Sequence, residues 1–276
     1  MNTQLNKTVE RIRRRGFLKC RDNAKSSCWK ERDYVEGTVN VGVIILPTLG
    51  CAWGRKSGCT MCGYAYSSSS NTQREIIVQF KDAIERLEDI EYLKIFNSGS
   101  FFDKREISEN TATKIFEKIN GVKKISNVQV ESRPEFIDST TLEKASKTLS
   151  AKLEVGIGLE TSSDYIRENC INKNFTFDDF KKLVEICKKQ GVDVKVYLLL
   201  KPPFLTEREA IDDTIKSAID AYKLGVSRIS INPVNVQRYT LVEHLWQRGE
   251  YRAPWLWSLL EVLKSIEKKV KIPVLS

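Results

Sequence analysis

Strand-like and helix-like stretches alternate along most of this 276-residue chain, and that alternation restricts its fold more than any other property. Runs rich in β-branched residues at 39–46, 92–96, 128–131, 153–159, 193–200 and 227–231 read as buried strands. Helical periodicity fills the gaps at about 76–89, 111–119, 140–149, 177–190 and 207–224, with Gly191 and Gly225 placed as helix stops. A helix at about 254–268 precedes a strand-like segment at 272–275. Six strands, each followed by a helix across short loops, predict a parallel α/β architecture. No GxGxxG follows the first strand, which disfavours an open dinucleotide-binding sheet. A (β/α)6-type partial TIM barrel is favoured, with chemistry at the C-terminal strand ends.

Residues 1–36 read as a basic N-terminal extension with little apolar periodicity, and residues 37–276 as the barrel core. The chain stops on a strand-like segment, so the barrel is expected to continue past it. No apolar run approaches the ~18–20 residues of a membrane span, and the polar N-terminus lacks a secretory h-region; a cytoplasmic protein without a membrane partner is expected. Lys and Arg total 45 against 36 Asp and Glu, a net charge of +9 that favours polyanionic partners or simply a solvated basic surface.

Seven cysteines without an export signal argue for metal binding or buried thiols over a disulfide framework. Cys51, Cys59 and Cys62 form a Cx7Cx2C arrangement in the Gly/Ser-rich loop directly after the first strand, where a barrel presents its active face. Thiolates suit zinc or iron–sulfur centres. A structural zinc site normally has four protein ligands, and no fourth Cys or His lies nearby. Three ligands fit a [4Fe–4S] cluster with one open iron; a zinc site completed by Cys28 is the competing reading. Cys20, Cys28 and Cys170 have no evident role, and Cys187 falls on an apolar helix face.

The cysteine loop resembles the signature of the radical S-adenosylmethionine (radical SAM) superfamily, in the longer-spaced form of its elongator-type and methylthiotransferase-type branches. Met61 stands where the superfamily favours an aromatic, and Tyr64 follows the cluster motif. The resemblance implies that the open iron chelates S-adenosylmethionine, whose one-electron reduction yields a 5′-deoxyadenosyl radical that takes hydrogen from substrate. It extends over roughly 41–231. Asn97, Ser98 and Gly99, at the second strand's end, occupy the place of a GGE-type motif without its Glu. Glu131, in ESRPE, stands where an acid helps bind the cofactor. Glu160 takes the place of a ribose-binding acid, and Lys173, in Asn172-Lys173, that of a cation meeting the methionine carboxylate. Ordinary turns and surface ion pairs are the plain alternatives at each place.

Within the superfamily the chain resembles the radical subunits of archaeal archaeosine synthases, through CAWGRKSGCTMCGY at 51–64, FNSGSFFD at 96–103, ESRPEF at 131–136 and the aromatic, Arg-containing stretch at 232–258. The resemblance implies a tRNA substrate whose deazaguanine base carries a lysine adduct, C–N cleavage to archaeosine, and an archaeosine synthase partner subunit. Arg11, Arg13, Arg14 and Arg15 would contact the tRNA backbone. Asn232, Gln237 and Arg238 would face the active-site mouth, whereas Trp255 and Trp257 are expected to pack into the core. No catalytic residue is assigned. Two other readings stand: a radical enzyme acting on a small molecule, and a zinc- or cluster-bearing RNA-binding module.

Overall fold

A computed structural model describes residues 2–17, 24–34 and 37–276. Its strands are β1 (Ser27–Tyr34), β2 (Thr38–Leu46), β3 (Tyr92–Asn97), β4 (Asn127–Glu131), β5 (Lys152–Glu160), β6 (Asp193–Leu200), β7 (Arg228–Pro233) and β8 (Val274–Leu275), which lie side by side in sequence order. β2 to β8 run parallel, and the sheet curls into a half-barrel; β1 is antiparallel to β2. In chain order the helices are α1 (Thr3–Phe17), α2 (Ala52–Lys56), α3 (Gln73–Ile84), α4 (Glu109–Asn120), α5 (Ser139–Thr148), α6 (Asp164–Ile166), α7 (Phe177–Lys189), α8 (Glu207–Leu224), α9 (Leu241–Gln247) and α10 (Leu256–Ile266). Among the described residues, no helix is long and apolar enough to cross a membrane.

Local chemistry sets the crossover helices. Thr72 with Glu75, Thr176 with Asp179 and Thr206 with Glu209 form capping boxes that satisfy the first orphan N–H groups of α3, α7 and α8. Gly225 ends α8 at φ 78°, a left-handed conformation that costs glycine little.

The two sheet faces differ in kind. Ile44, Ile95, Val130, Val155, Ile157, Val196 and Ile231 point outward and share one core with Phe80, Phe116 and Phe180 of the helices. The alternate positions point into the concavity, where Lys94, Gln129, Glu154, Lys195 and Arg228 are buried. Small barrels usually fill this space with branched apolar side chains; here, among the described residues, the apolar cluster on this face is small, Val41, Val43 and Tyr92 with Val39 and Phe96 against them, near the β1 edge.

The described segments within residues 1–36, expected as an extension, pack on the rest of the chain. β1 pairs with β2 from Ser27↔Ile45 to Tyr34↔Thr38, and Leu5 and Val9 of α1 pack on Leu241 of α9. The helical apolar stripe of α1 is present in the sequence but obscured by its arginines. β1 gives no strand signal because Glu31 faces the concavity, where Lys94 balances it at 2.7 Å.

Candidate active site at the strand ends

The cysteine loop follows β2 and folds around one cation. Arg13 of α1 is 1% exposed, and its Nη1 donates to the carbonyls of Cys59 (3.2 Å) and Cys62 (2.7 Å). Gly58, at φ 95°, lies so close that a Cβ would overlap the guanidinium. Nε and Nη2 of Arg13 are buried without a hydrogen-bond partner. Arg13 is therefore not a tRNA contact, because the helix face that carries it is the one that packs inward. Arg11 and Arg14 are exposed on the opposite face, Arg14 paired with Glu10 at 2.7 Å. The Arg15 side chain and Cys20 lie outside the described residues.

Further bonds fix the loop from three sides. Cys51 N donates to Ser98 O of the β3 turn at 3.1 Å, and Thr60 N to Ile171 O at 2.9 Å, while Thr60 O accepts from Val242 N of α9 at 3.1 Å. Trp53 Nε1 donates to Asn172 O at 2.7 Å, and the Asn172 side chain donates to Gly58 O at 2.8 Å.

Cys51, Cys59 and Cys62 are half-buried free thiols. Burial pushes the Cys59 thiol up to about 12, opposed by Lys173 and Arg133, with Cys62 and Cys51 close enough to add to the rise. Burial also pushes Cys62 up, opposed first by Arg13. Metal ligation deprotonates thiols outright, and these three cations lie where the resulting negative charge would develop. Among the described residues, no three His, Cys, Asp or Glu side chains converge tightly enough for a single ion. Thiols bound to different irons of one cluster stand farther apart than ligands of one zinc. Cys28 packs against the outer core and so does not reach this loop.

Around the thiols, the strand ends carry groups suited to an amino-acid ligand. In the β3 turn, a Cβ at Gly99 would lie 2.5 Å from Cys51 N, so only glycine permits this approach. Behind the turn sits Glu106, 1% exposed, which accepts from the Thr48 hydroxyl, Ser100 N (2.8 Å) and Asn97 Nδ2 (3.1 Å). Burial raises its carboxyl. Glu106 thus supplies a carboxylate to a turn whose own sequence lacks one; it went unread because it stands outside the motif. Asn97 Oδ1 is buried without a donor, an acceptor that an ammonium group could satisfy.

Glu131 ends β4, its carboxyl raised by burial and hydrogen-bonded by Tyr197. Glu160 ends β5 on a bulge, at φ 69°, strained backbone for a residue with a side chain. The strain aims its carboxylate at Lys173 Nζ, 2.6 Å away, and a Cβ at Gly158 would overlap both groups. Phe175, also unread in the sequence, has Arg133, Arg167 and Lys173 over its ring at 5.7, 5.2 and 5.5 Å, which offsets mutual repulsion among cations beside the thiols.

The segment after β7 closes one side. Gln237 Oε1 accepts from Gly63 N at 2.6 Å and lies beside Tyr64, which is 64% exposed. Asn232 is half-buried and accepts from Ser230 Oγ at 3.2 Å, whereas Arg238 is exposed. Trp255 and Trp257 do not enter the core: they are 58% and 76% exposed, and Trp255 lies 4.4 Å from the Arg252 guanidinium. Their places just before and inside the first turn of α10 leave the inward stripe to Leu259, Val262 and Ile266. Cys187 does lie in the core.

The site therefore contains three thiols, nearby cations, an unpaired amide oxygen and an acid–base pair at a strand end. These residues could hold an iron–sulfur cluster and an S-adenosylmethionine whose carboxylate meets Lys173 and whose hydroxyls meet Glu160. Residues 45–218 match the radical SAM superfamily. The chain is 42% identical to archaeosine synthase subunit beta of Methanosarcina acetivorans over 94% of this chain and 77% of that one. It is 39% identical to archaeosine synthase subunit beta of Thermococcus kodakarensis over 87% of this chain and 76% of that one. Among solved structures it resembles a queuine lyase from Clostridium spiroforme bound to SAM and queuine, at a TM-score of 0.59 and 20% identity, covering 90% of this chain and 94% of that chain.

Proposed function

Because the chain belongs to the radical SAM superfamily, in the family of archaeosine synthase subunit beta, we propose that it cleaves the lysine C–N bond of a lysine-adducted 7-deazaguanine in tRNA to form archaeosine. It is a radical SAM enzyme, using a [4Fe–4S] cluster and S-adenosylmethionine, and its relatives support the archaeosine role. The observation that carries the site assignment is Lys173, which pairs with Glu160 at 2.6 Å and also acts on the Cys59 thiol.

Cys51, Cys59 and Cys62 are the proposed cluster ligands. When bound, the cluster and S-adenosylmethionine supply the 5′-deoxyadenosyl radical that abstracts hydrogen. Lys173 would neutralise the methionine carboxylate, Glu160 would accept from ribose hydroxyls, and Asn97 Oδ1 with the Ser98–Gly99 backbone would receive the ammonium. Glu131, with Tyr197, orients the reacting end of the ligand, and Tyr64 and Gln237 border the entry. The lysine carbon bonded to the new nitrogen would lose a hydrogen atom and one further electron, with the oxidised cluster as electron acceptor. Water would hydrolyse the resulting C=N bond, releasing the appendage as an aldehyde and leaving a formamidine on the base. The base must be reached outside its normal stacking, since the site lies within a half-barrel. Asn232 and Arg238 would then meet the nucleotide, with Arg11, Arg14 and Arg15 nearer the tRNA backbone. Relatives named as a beta subunit imply an archaeosine synthase partner subunit for this chain as well.

Anaerobic reconstitution tests the proposal. The protein should take up iron and sulfide in equal amounts, and Ala at Cys51, Cys59 or Cys62 should abolish the uptake. Lysine-adducted tRNA should raise 5′-deoxyadenosine release and yield archaeosine, and unadducted tRNA should do neither. A colourless zinc protein, or stimulation by small molecules alone, would refute it.

A further inference from the structure

The concave face of the half-barrel, below the strand ends, carries a polar lining whose charges do not all match. Lys94 Nζ lies 2.6 Å from Asp33 and 2.7 Å from Glu31. Arg228 reaches Glu154 with Nε at 2.9 Å and Asp33 with Nη1 at 3.4 Å. Tyr92 donates to Glu154 at the same junction. These cations have carboxylate partners in contact. Lys195 of β6 does not: among the described residues its only polar contact is the neutral Gln129 Oε1 at 3.4 Å, with the Tyr197 ring 5.2 Å away.

Lys195 is 4% exposed, so its ammonium is shielded from water as well. A buried charge without a partner is costly and normally shifts toward its neutral form. Burial, reinforced by Lys94 and Arg228, pulls Lys195 down to about 8, which still leaves it largely charged at neutral pH. The neighbouring acids act on Lys195 without an ion-pair contact among the described residues: Glu154 is paired with Arg228, and Glu131, hydrogen-bonded by Tyr197, feels the Lys195 charge from a distance. Gly156 lies in register between Glu131 and Lys195, and its missing side chain lets Tyr197 and Glu131 close in beside Lys195; a Cβ there would stand 3.0 Å from Tyr197 and 3.2 Å from Glu131.

We infer that the Lys195 ammonium is a receptor for a substrate carboxylate in the half-barrel. Resting on the function proposed above, that group is the α-carboxylate at the far end of the lysine appendage. The reacting carbon is bonded to the base's nitrogen and sits near the strand ends, so the rest of the appendage extends down the concavity toward β6. The methionine carboxylate has its own cation in Lys173, which follows β5 at the rim, leaving Lys195 for a second anion. The ion pair would also orient the reacting carbon, because it holds the appendage at the end opposite the base.

The test compares tRNA carrying the lysine adduct with tRNA carrying the cadaverine adduct, which has the same chain and no carboxylate. In the wild-type holoenzyme, losing the carboxylate should lower kcat/KM on the order of tenfold to a hundredfold, as expected for a buried charged hydrogen bond. In K195M the two adducts should react within about twofold of each other, and K195R should keep part of the discrimination. The ratio is taken within each protein, so a general loss of fold or cluster cancels; if K195M fails to fold, K195Q replaces it. Equal discrimination by wild type and K195M, or none by wild type, overturns the assignment while leaving archaeosine formation intact. A wild-type enzyme that cleaves S-adenosylmethionine but converts neither adduct overturns both readings.

Discussion

Arg13 and Asp213 are buried charged side chains with unsatisfied atoms, and they call for opposite experiments. Arg13 is surrounded by the backbone of the cysteine loop. Replacing it with Met should leave the two carbonyls unpaired and remove a cation beside Cys62, costing on the order of 3 kcal/mol locally. Iron content after reconstitution should fall severalfold in R13M, and the cluster signal in electron paramagnetic resonance should weaken or shift. Wild-type iron loading with an unchanged spectrum would show that the loop holds its shape without Arg13. Asp213 Oδ1 accepts from Thr161, whereas Oδ2 is buried without a partner, and burial raises the carboxyl to about 6. A folded-state value above the unfolded ~3.9 means that the native state holds the proton more tightly. Stability from this group is therefore present at low pH and is lost as pH rises through about 6. Asp213→Asn should raise stability at pH 8 by on the order of 2 kcal/mol, read as a higher Tm, and change it little at pH 4. A stabilisation that does not vary with pH would show that ionisation at Asp213 is not its source.

The crossover helices and the strands β2 to β7 were legible because pattern and propensity agree there. The outward face of each strand is continuously apolar, and Thr caps with an acid at the third position mark helix starts. α8 starts and ends where Thr206 and Gly225 direct. β1 and α1 were not legible as part of the fold, since their inward charges are matched only by residues distant in sequence, Lys94 for β1 and the cysteine-loop carbonyls for α1. The same holds within the site. The thiols and strand-end motifs are local patterns, whereas Glu106 and Phe175 act only through folded proximity. The Trp255 and Trp257 expectation failed because aromatic composition does not reveal which face of a helix is inward. Element by element, α1 thus packs on the cysteine loop through Arg13 and on α9 through Leu5 and Val9. Removing residues 1–16 should abolish cluster assembly; if only tRNA affinity changes and iron loading is kept, that assignment fails.

Across the whole molecule, net charge +9 sets the expected behaviour toward tRNA. Binding should weaken steeply between 50 and 200 mM salt, and Arg11→Ala should lower the slope of log affinity against log salt by roughly 0.7 to 0.9. Arg14→Ala should lower it less, because Glu10 already pairs with that guanidinium. A slope unchanged by both substitutions would place the RNA on another face. The seam where α1 meets α9 also bears on when the protein can become active. Leu5 and Val9 rest on Leu241, and the next residue, Val242, bonds Thr60 in the thiol loop. The loop is thus clamped between α1 and α9, two helices far apart in the sequence. A nascent chain halted before residue 241 contains every cysteine of the motif yet lacks half of the clamp. Stable cluster uptake is on this account a step that waits until α9 has been made and has folded onto the loop.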